Sequence, residues 1–373
     1  MKITNAKIWT EKDGFVTGGV TFSDRIQSID APGGEDALDA GGMYLIPGFV
    51  DIHIHGGLKH DTSDVNAEGD EAVARRLVKH GVTSYLATTM TMPEDTLVRA
   101  VSIQDFGTSD PQRACCIGVH LEGPFFSYRK RGAQIAEYLH KADLDMFHRI
   151  NSACKNRVRL IAVAPETDGA MDFIEQASKE TTVSIGHTCA DYDTAMEAFQ
   201  RGADHVTHLF NGMDPFLHRA PGVVGAAMDA NAYVELICDG LHIHPSVVRA
   251  VFRMFPERVA MISDAIRSAG LPEGRYNMGG QDITMKDGKT TLPDGTLAGS
   301  NITLHDALVN VVRFGVPLEA AVAAATLHPA RSVKVDDVVG SIEPGKRADF
   351  VLLDEDLAIQ GVYHYGKEVD MHA

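Results

Sequence analysis

His53 and His55 stand one residue apart at the end of an apolar run, Phe49-Val50-Asp51-Ile52-His53-Ile54-His55. In an extended chain, residues two apart point to the same side, so both imidazoles can face one ion. Farther along, His120-Leu121-Glu122-Gly123-Pro124, Gly186-His187-Thr188, Thr207-His208-Leu209-Phe210-Asn211 and Ser263-Asp264-Ala265 each close another apolar run. A lone histidine in such a place is more often a hydrogen-bonded structural group than a ligand. His53, His55, His187, His208, Glu122 and Asp264 together make a different pattern. N/O donors in this number suit a catalytic site for divalent metal. They can serve two ions, with His53 and His55 on one, His187 and His208 on the other, and Glu122 as a bridge. The chemistry expected is hydrolysis, because a divalent ion acidifies water at neutral pH and polarises a carbonyl. Asp264 fits the general base, taking a proton from water and passing it to a leaving amine. Its competing role is a helix N-cap. Zinc is the leading ion, and iron, manganese or cobalt suit the same donors.

These residues need elements that bring them together. Runs at 45–53, 82–88, 115–121, 158–164, 182–186, 205–208, 233–238 and 258–262 read as strands. Several are almost continuously apolar, as strands covered on both faces are. Helical patterns lie between most of them. The pattern at 67–80 ends at Gly81, a C′ glycine, and that at 191–201 opens on Asp191 as N-cap and closes at Gly202. Eight strands alternating with helices predict an α/β fold, a (β/α)8 TIM barrel over residues 46–337. Active sites of such barrels lie at the C-terminal strand ends, where the six donors fall. No GxGxxG follows the first strand, which speaks against a dinucleotide fold. Residues 1–45 and 338–373 read as short strands with turns at Gly18-Gly19, Gly33-Gly34, Gly41-Gly42 and Glu343-Pro344-Gly345-Lys346. Together they predict one small β-sandwich beside the barrel. A β-hairpin insert is expected at about 276–297, with turn signals at Asp287-Gly288 and Asp294-Gly295.

The composition narrows the partners. Among 373 residues, 44% are hydrophobic and 23% charged, a globular mixture. The net charge of −17 argues against nucleic acid, since phosphate backbones select basic surfaces. Any anion pocket must therefore be local. The five cysteines include no CxxC pair, so a reducing, cytoplasmic setting is expected, with Cys115 and Cys116 as core residues. Residues 1–9 alternate apolar and polar, without the apolar stretch of a signal peptide. No apolar run is long enough to span a membrane.

Several motifs carry a resemblance. His120-Leu121-Glu122-Gly123-Pro124-Phe125, Thr207-His208-Leu209-Phe210-Asn211-Gly212-Met213 and Asp239-Gly240-Leu241-His242 are the most specific. Leu297-Ala298-Gly299-Ser300 and Ala325-Thr326-Leu327-His328-Pro329-Ala330-Arg331 add to them. The chain resembles the N-acetylglucosamine-6-phosphate deacetylases of the amidohydrolase superfamily, from Pro47-Gly48-Phe49-Val50-Asp51 to Pro344-Gly345-Lys346-Arg347-Ala348-Asp349. Many amidohydrolases bridge their metals with a carboxylated lysine, and Glu122 standing in that place resembles the deacetylase branch. The resemblance implies hydrolysis of the acetamide of an amino sugar 6-phosphate. It implies that Asn211, the backbone N–H of Gly212, and His242 bind the sugar phosphate, with His244 the weaker candidate. Arg219 would reach the phosphate from the neighbouring subunit of a homodimer. Ala133, Gln134, Leu297, Ala298 and Gly299 would line the substrate.

One departure is visible. Some members carry Gly-Ala-His where this chain has Gly132-Ala133-Gln134. A glutamine amide donates a hydrogen bond but carries no charge. Other members lack the first histidine pair and work with one metal, whereas His53 and His55 are both present here. The galactosamine 6-phosphate epimer, and a different amide substrate within the superfamily, are the alternative readings. A metal-free barrel serving as an interaction protein is the alternative from another class.

Overall fold

The computed structural model describes residues 1–30, 37–107 and 109–372. The expected Gly33-Gly34 turn lies outside the described residues. Eight parallel strands follow one another in sequence order: Phe49–Ile54, Val82–Thr89, Cys115–Glu122, Val158–Val163, Thr182–Ile185, His205–Val206, Tyr233–Ile237 and Val259–Ile262. Each is hydrogen-bonded to the next. The ring is drawn together where Asp264 N–H donates to the carbonyl of His53 at 2.9 Å. This is the (β/α)8 barrel the strand rhythm predicts.

Helix Ala67–Lys79 shows why the connections form as they do. Asn66 caps it by accepting from the Gly69 N–H, and Gly81 follows its end at φ +80°. Its buried face carries Val73, Ala74, Leu77 and Val78 at the spacing that a helix packed on a sheet requires. Helix Tyr192–Gln200 is capped by Asp191, whose side chain accepts from Thr194 N–H.

Two barrel strands differ from the expectation by more than one residue. The run at 45–53 is two strands, not one. Tyr44–Pro47 pairs with the N-terminal strand Lys2–Thr10 and with Phe350–Leu353, while Phe49–Ile54 enters the barrel. Gly48 is the break between them. A Cβ there would lie 2.2 Å from Thr83 Oγ1, so only glycine lets the second barrel strand come this close. The sixth strand covers only His205–Val206, which leaves Thr207 and His208 beyond its end.

The terminal segments share one hydrogen-bonded sheet, running from Ile359–His364 through Phe350–Leu353, Tyr44–Pro47, Lys2–Thr10 and Gly14–Phe22 to Ile26–Asp30. The sheet coils on itself. Ile26 N–H donates to Lys346 O at 2.9 Å, and Phe22 packs edge-on against Phe350 with ring centroids 5.1 Å apart. Distant strands of the one sheet therefore pack side chains of the same face against each other. Arg347 fastens this sheet to the barrel floor: the buried guanidinium pairs with Asp349, donates to the carbonyl of Thr83 at 3.2 Å and bonds the Ser84 hydroxyl. A three-stranded antiparallel sheet, Gly274–Met278, Gln281–Lys286 and Lys289–Thr291, follows the eighth barrel strand. Asp287-Gly288 makes its two-residue turn with both φ angles positive. No helix of the described residues is long and apolar enough to cross a membrane. Cys115, Cys116, Cys154 and Cys238 are buried as free thiols, and Cys189 is half-buried.

Candidate metal and substrate site

The C-terminal mouth of the barrel holds a cavity of about 250 Å³, with His55, Glu122, Gln134, His187, His208 and Asp264 on its polar floor. The ligand candidates sit at or near the C-terminal ends of the barrel strands. His187, His208 and Asp264 have φ of +47°, +27° and +47°, a left-handed conformation that a non-glycine residue adopts at a cost. Strain of this kind persists where surrounding structure holds it, and it collects at functional sites.

The geometry of His187 and His208 is the most informative. His187 Nδ1 lies 2.8 Å from the Lys130 carbonyl, and His208 Nδ1 lies 3.2 Å from the Asn211 carbonyl. A carbonyl only accepts, so in each ring the proton belongs on Nδ1. Both Nε2 atoms then present lone pairs, 3.1 Å from one another and each 3.0 Å from Glu122 Oε1. Three electron-pair donors aimed at one point suit a cation among them.

The second group lies alongside. His55 Nε2 is 3.3 Å from Glu122 Oε2 and 3.4 Å from Asp264 Oδ1. His53 is fully buried behind the cavity floor. Its Nε2 has no hydrogen-bond partner and lies 3.5 Å from Asp264 Oδ1 and 3.6 Å from Glu122 Oε1. Glu122 faces both groups, as a bridging carboxylate must. The donor set of His53, His55 and Asp264, and that of Glu122, His187 and His208, are each compact enough for one divalent ion.

The electrostatics agree. Burial opposes the ionisation of Glu122, but the imidazoles of His187, His208 and His53 around it, when they carry positive charge, hold its carboxyl well below the usual range. Burial likewise opposes Asp264, and His53 and His55 hold it low. Burial works against a charge on His53 as well, yet Glu235, Asp264 and Glu122 lift its pKa to about 9. These carboxylates draw positive charge to one spot, from imidazole protons or from a divalent ion.

Around the polar floor, Gly132, Ala133, Asn211, Gly212, His242, Leu297 and Gly299 line the walls. Thr296, Leu297 and Met278 come from the antiparallel insert and the loop that follows it. Ala298 is turned into the wall, where its N–H pairs with Thr290 O at 3.0 Å. Arg219 is exposed on an outer loop, 2.5 Å from His218 Nε2, and does not line the cavity of its own chain. The Gln134 amide is already engaged: Nε2 donates to Glu122 Oε2 at 2.5 Å, and Oε1 accepts from Thr91 N–H at 2.7 Å. It orients the Glu122 carboxylate.

Two acidic residues joined the site without being singled out from the sequence. Asp239 Oδ2 lies 2.7 Å from His242 Nδ1 and aims that ring at the cavity. The signal was the spacing Asp239 to His242 within a motif already noted. Glu235 lies 2.8 Å from His53 Nδ1. Its signal was a lone charge inside the apolar strand Tyr233-Val234-Glu235-Leu236-Ile237.

Known proteins resemble this chain in sequence and in fold. An N-acetylgalactosamine-6-phosphate deacetylase of Escherichia coli O157:H7 is 36% identical over 327 residues, 87% of this chain and 87% of that protein. An N-acetylglucosamine-6-phosphate deacetylase of Mus musculus is 36% identical over 351 residues, 90% of this chain and 85% of that protein. The structure of a mutant N-acetyl-D-glucosamine-6-phosphate deacetylase of Mycobacterium smegmatis, in complex with N-acetyl-D-glucosamine-6-phosphate, superposes with a TM-score of 0.92 at 31% identity, covering 99% of both chains. Residues 44–369 match the Amidohydrolase family, and with the barrel and its metal-type donor set in place, this chain belongs to that family.

Proposed function

We propose that the chain hydrolyses the acetamide of N-acetyl-D-glucosamine 6-phosphate, giving D-glucosamine 6-phosphate and acetate. The observation that carries this reading is the convergence of the His187 and His208 Nε2 atoms on Glu122, with Asp264 3.4 Å from His55 on the same floor. His53 and His55 would hold one divalent ion, His187 and His208 a second, with Glu122 between and Asp264 on the first. Zinc is the first choice, and iron, manganese and cobalt fit the same donors. Such an ion supplies Lewis acidity when bound.

The chain's own groups carry the remaining steps. Asp264 accepts the proton of the attacking water as the new C–O bond forms at the acetamide carbon. It returns that proton to nitrogen as the C–N bond breaks, so the products are a free amine and acetate. Gln134 holds Glu122 in place through its amide. Asn211, the Gly212 N–H and His242 would bind the sugar phosphate, with Ala133, Leu297 and Gly299 shaping the walls. Arg219 would reach the site of a neighbouring subunit, where its guanidinium suits a phosphate. The loop that carries it also exposes Phe216 and Leu217, an apolar patch of the kind a homodimer covers. On this reading residues 1–45 and 338–373 form the small β-domain, residues 46–337 form the barrel, and the enzyme works in the cytoplasm.

The galacto epimer is the second reading, favoured by the Escherichia coli relative. Acetate release from both epimeric sugar phosphates, with zinc, iron, manganese or cobalt added in turn, tests the proposal. Turnover of the gluco compound at the higher kcat/KM supports it. Preference for the galacto compound, or for an unphosphorylated amide, overturns it.

A further inference from the structure

Glu235 sits on the seventh barrel strand with its side chain fully buried. A carboxylate in such a place is costly unless donors satisfy it. Its Oε2 has two: His53 Nδ1 at 2.8 Å and the peptide N–H of His208 at 3.0 Å. One oxygen therefore ties the side chain of the first strand's histidine to the backbone of the histidine that follows the sixth. Oε1 has no hydrogen-bond partner, and His205 Nδ1 is 3.9 Å away. His120 packs edge-on against His53, centroids 4.5 Å apart, and offers it no hydrogen bond.

An ionised carboxylate only accepts. Opposite Glu235, the proton of His53 must be on Nδ1, and the Nε2 lone pair must face Asp264 and Glu122. We propose that Glu235 is a positioning residue: it fixes the tautomer and tilt of His53 and, through the His208 peptide, the separation of the two halves of the donor set. A partner of this kind sets the affinity of a histidine for its ion. The inference rests on the reading of His53 as a metal ligand. A glutamine at 235 would keep the volume, and its amide oxygen, held by the His208 N–H, would still accept from Nδ1, but His53 would lose the basicity that a charged partner lends it.

The test compares wild type, Glu235→Gln, Glu235→Asp and His120→Asn, each loaded with zinc and dialysed against a graded chelator series. Retained zinc is counted by elemental analysis and the fold is followed by thermal unfolding. Wild type is expected to hold two equivalents. Glu235→Gln is expected to keep one as wild type does and to lose the other at a chelator level about 10- to 100-fold lower, with Glu235→Asp recovering part of the loss. Two equivalents held equally well in Glu235→Gln overturn the proposal. So does loss of both together with a fall in Tm, which marks a merely structural role. The buried groups His53, His120 and Glu235 also lie close enough to ligate an ion themselves. Loss of an equivalent in His120→Asn would assign Glu235 to ligation and overturn positioning. A wild type that binds no zinc, or whose zinc is indifferent to His53→Ala, would instead defeat the metal-ligand reading itself.

Discussion

Asp264 joins backbone and chemistry at one point. Its N–H closes the barrel onto the His53 carbonyl, and its carboxylate faces His53 and His55 at 3.5 and 3.4 Å. Replacing the carboxylate with an amide keeps the shape and removes the proton acceptor. We expect Asp264→Asn to lower kcat by about 10²- to 10⁴-fold, the range of positioned acid–base catalysis, with substrate affinity retained. Single-turnover acetate release together with equilibrium binding measures both, and a kcat near that of wild type would remove the general-base role. At this scale the sequence was readable because each donor ends an apolar run. Alternation put His53 and His55 on one side, and strand ends placed Glu122, His187, His208 and Asp264 at the mouth. Gln134 was not readable in the same way. Its partners Thr91 and Glu122 lie 43 and 12 residues away, and only the folded loop brings them together.

Turns past the strand ends decide how the donors are aimed. Gly212 has φ +62°, and a Cβ there would lie 3.0 Å from His187 Nδ1 and 3.3 Å from Lys130 O, the pair that sets the His187 tautomer. Gly212→Ala is expected to cost about 1–2 kcal/mol in backbone strain and to weaken metal held by His187, His208 and Glu122. Chemical unfolding and metal content check it; an alanine variant with unchanged metal content would show that the turn does not aim His187. Elements of this kind are partly legible. The apolar runs and capping residues located strands and helices well. The division at Gly48 was hidden, because two strands belonging to different sheets can share one unbroken apolar run. The short sixth strand was hidden for a related reason: Thr207 and His208 continue the strand pattern while the backbone leaves it.

Across the whole molecule, charge is the constraint. A net charge of −17 leaves few places for an anionic substrate, so a cation brought in by a second subunit has a clear use. We expect Arg219→Ala to raise KM for the phosphorylated sugar about 10- to 100-fold, the range for a lost hydrogen bond to a charged group, and to leave unphosphorylated N-acetyl sugars unaffected. Co-expressed with Asp264→Asn, it should regain activity, because a mixed dimer contains one site with both residues intact. Failure of the mixture to exceed the Arg219→Ala enzyme would confine Arg219 to its own subunit. Sequence reasoning could not reach this proposed role without the resemblance, since Arg219 lies outside every periodic segment.

The pairing of Tyr44–Pro47 with Phe350–Leu353 also bears on synthesis of the chain. The ribosome completes the first barrel strand some three hundred residues before the partner of its neighbour emerges. Until then Tyr44–Pro47 has an open edge six residues upstream of His53. A nascent chain stalled before residue 350 would carry all six candidate donors and still lack the strand that pairs beside the first two.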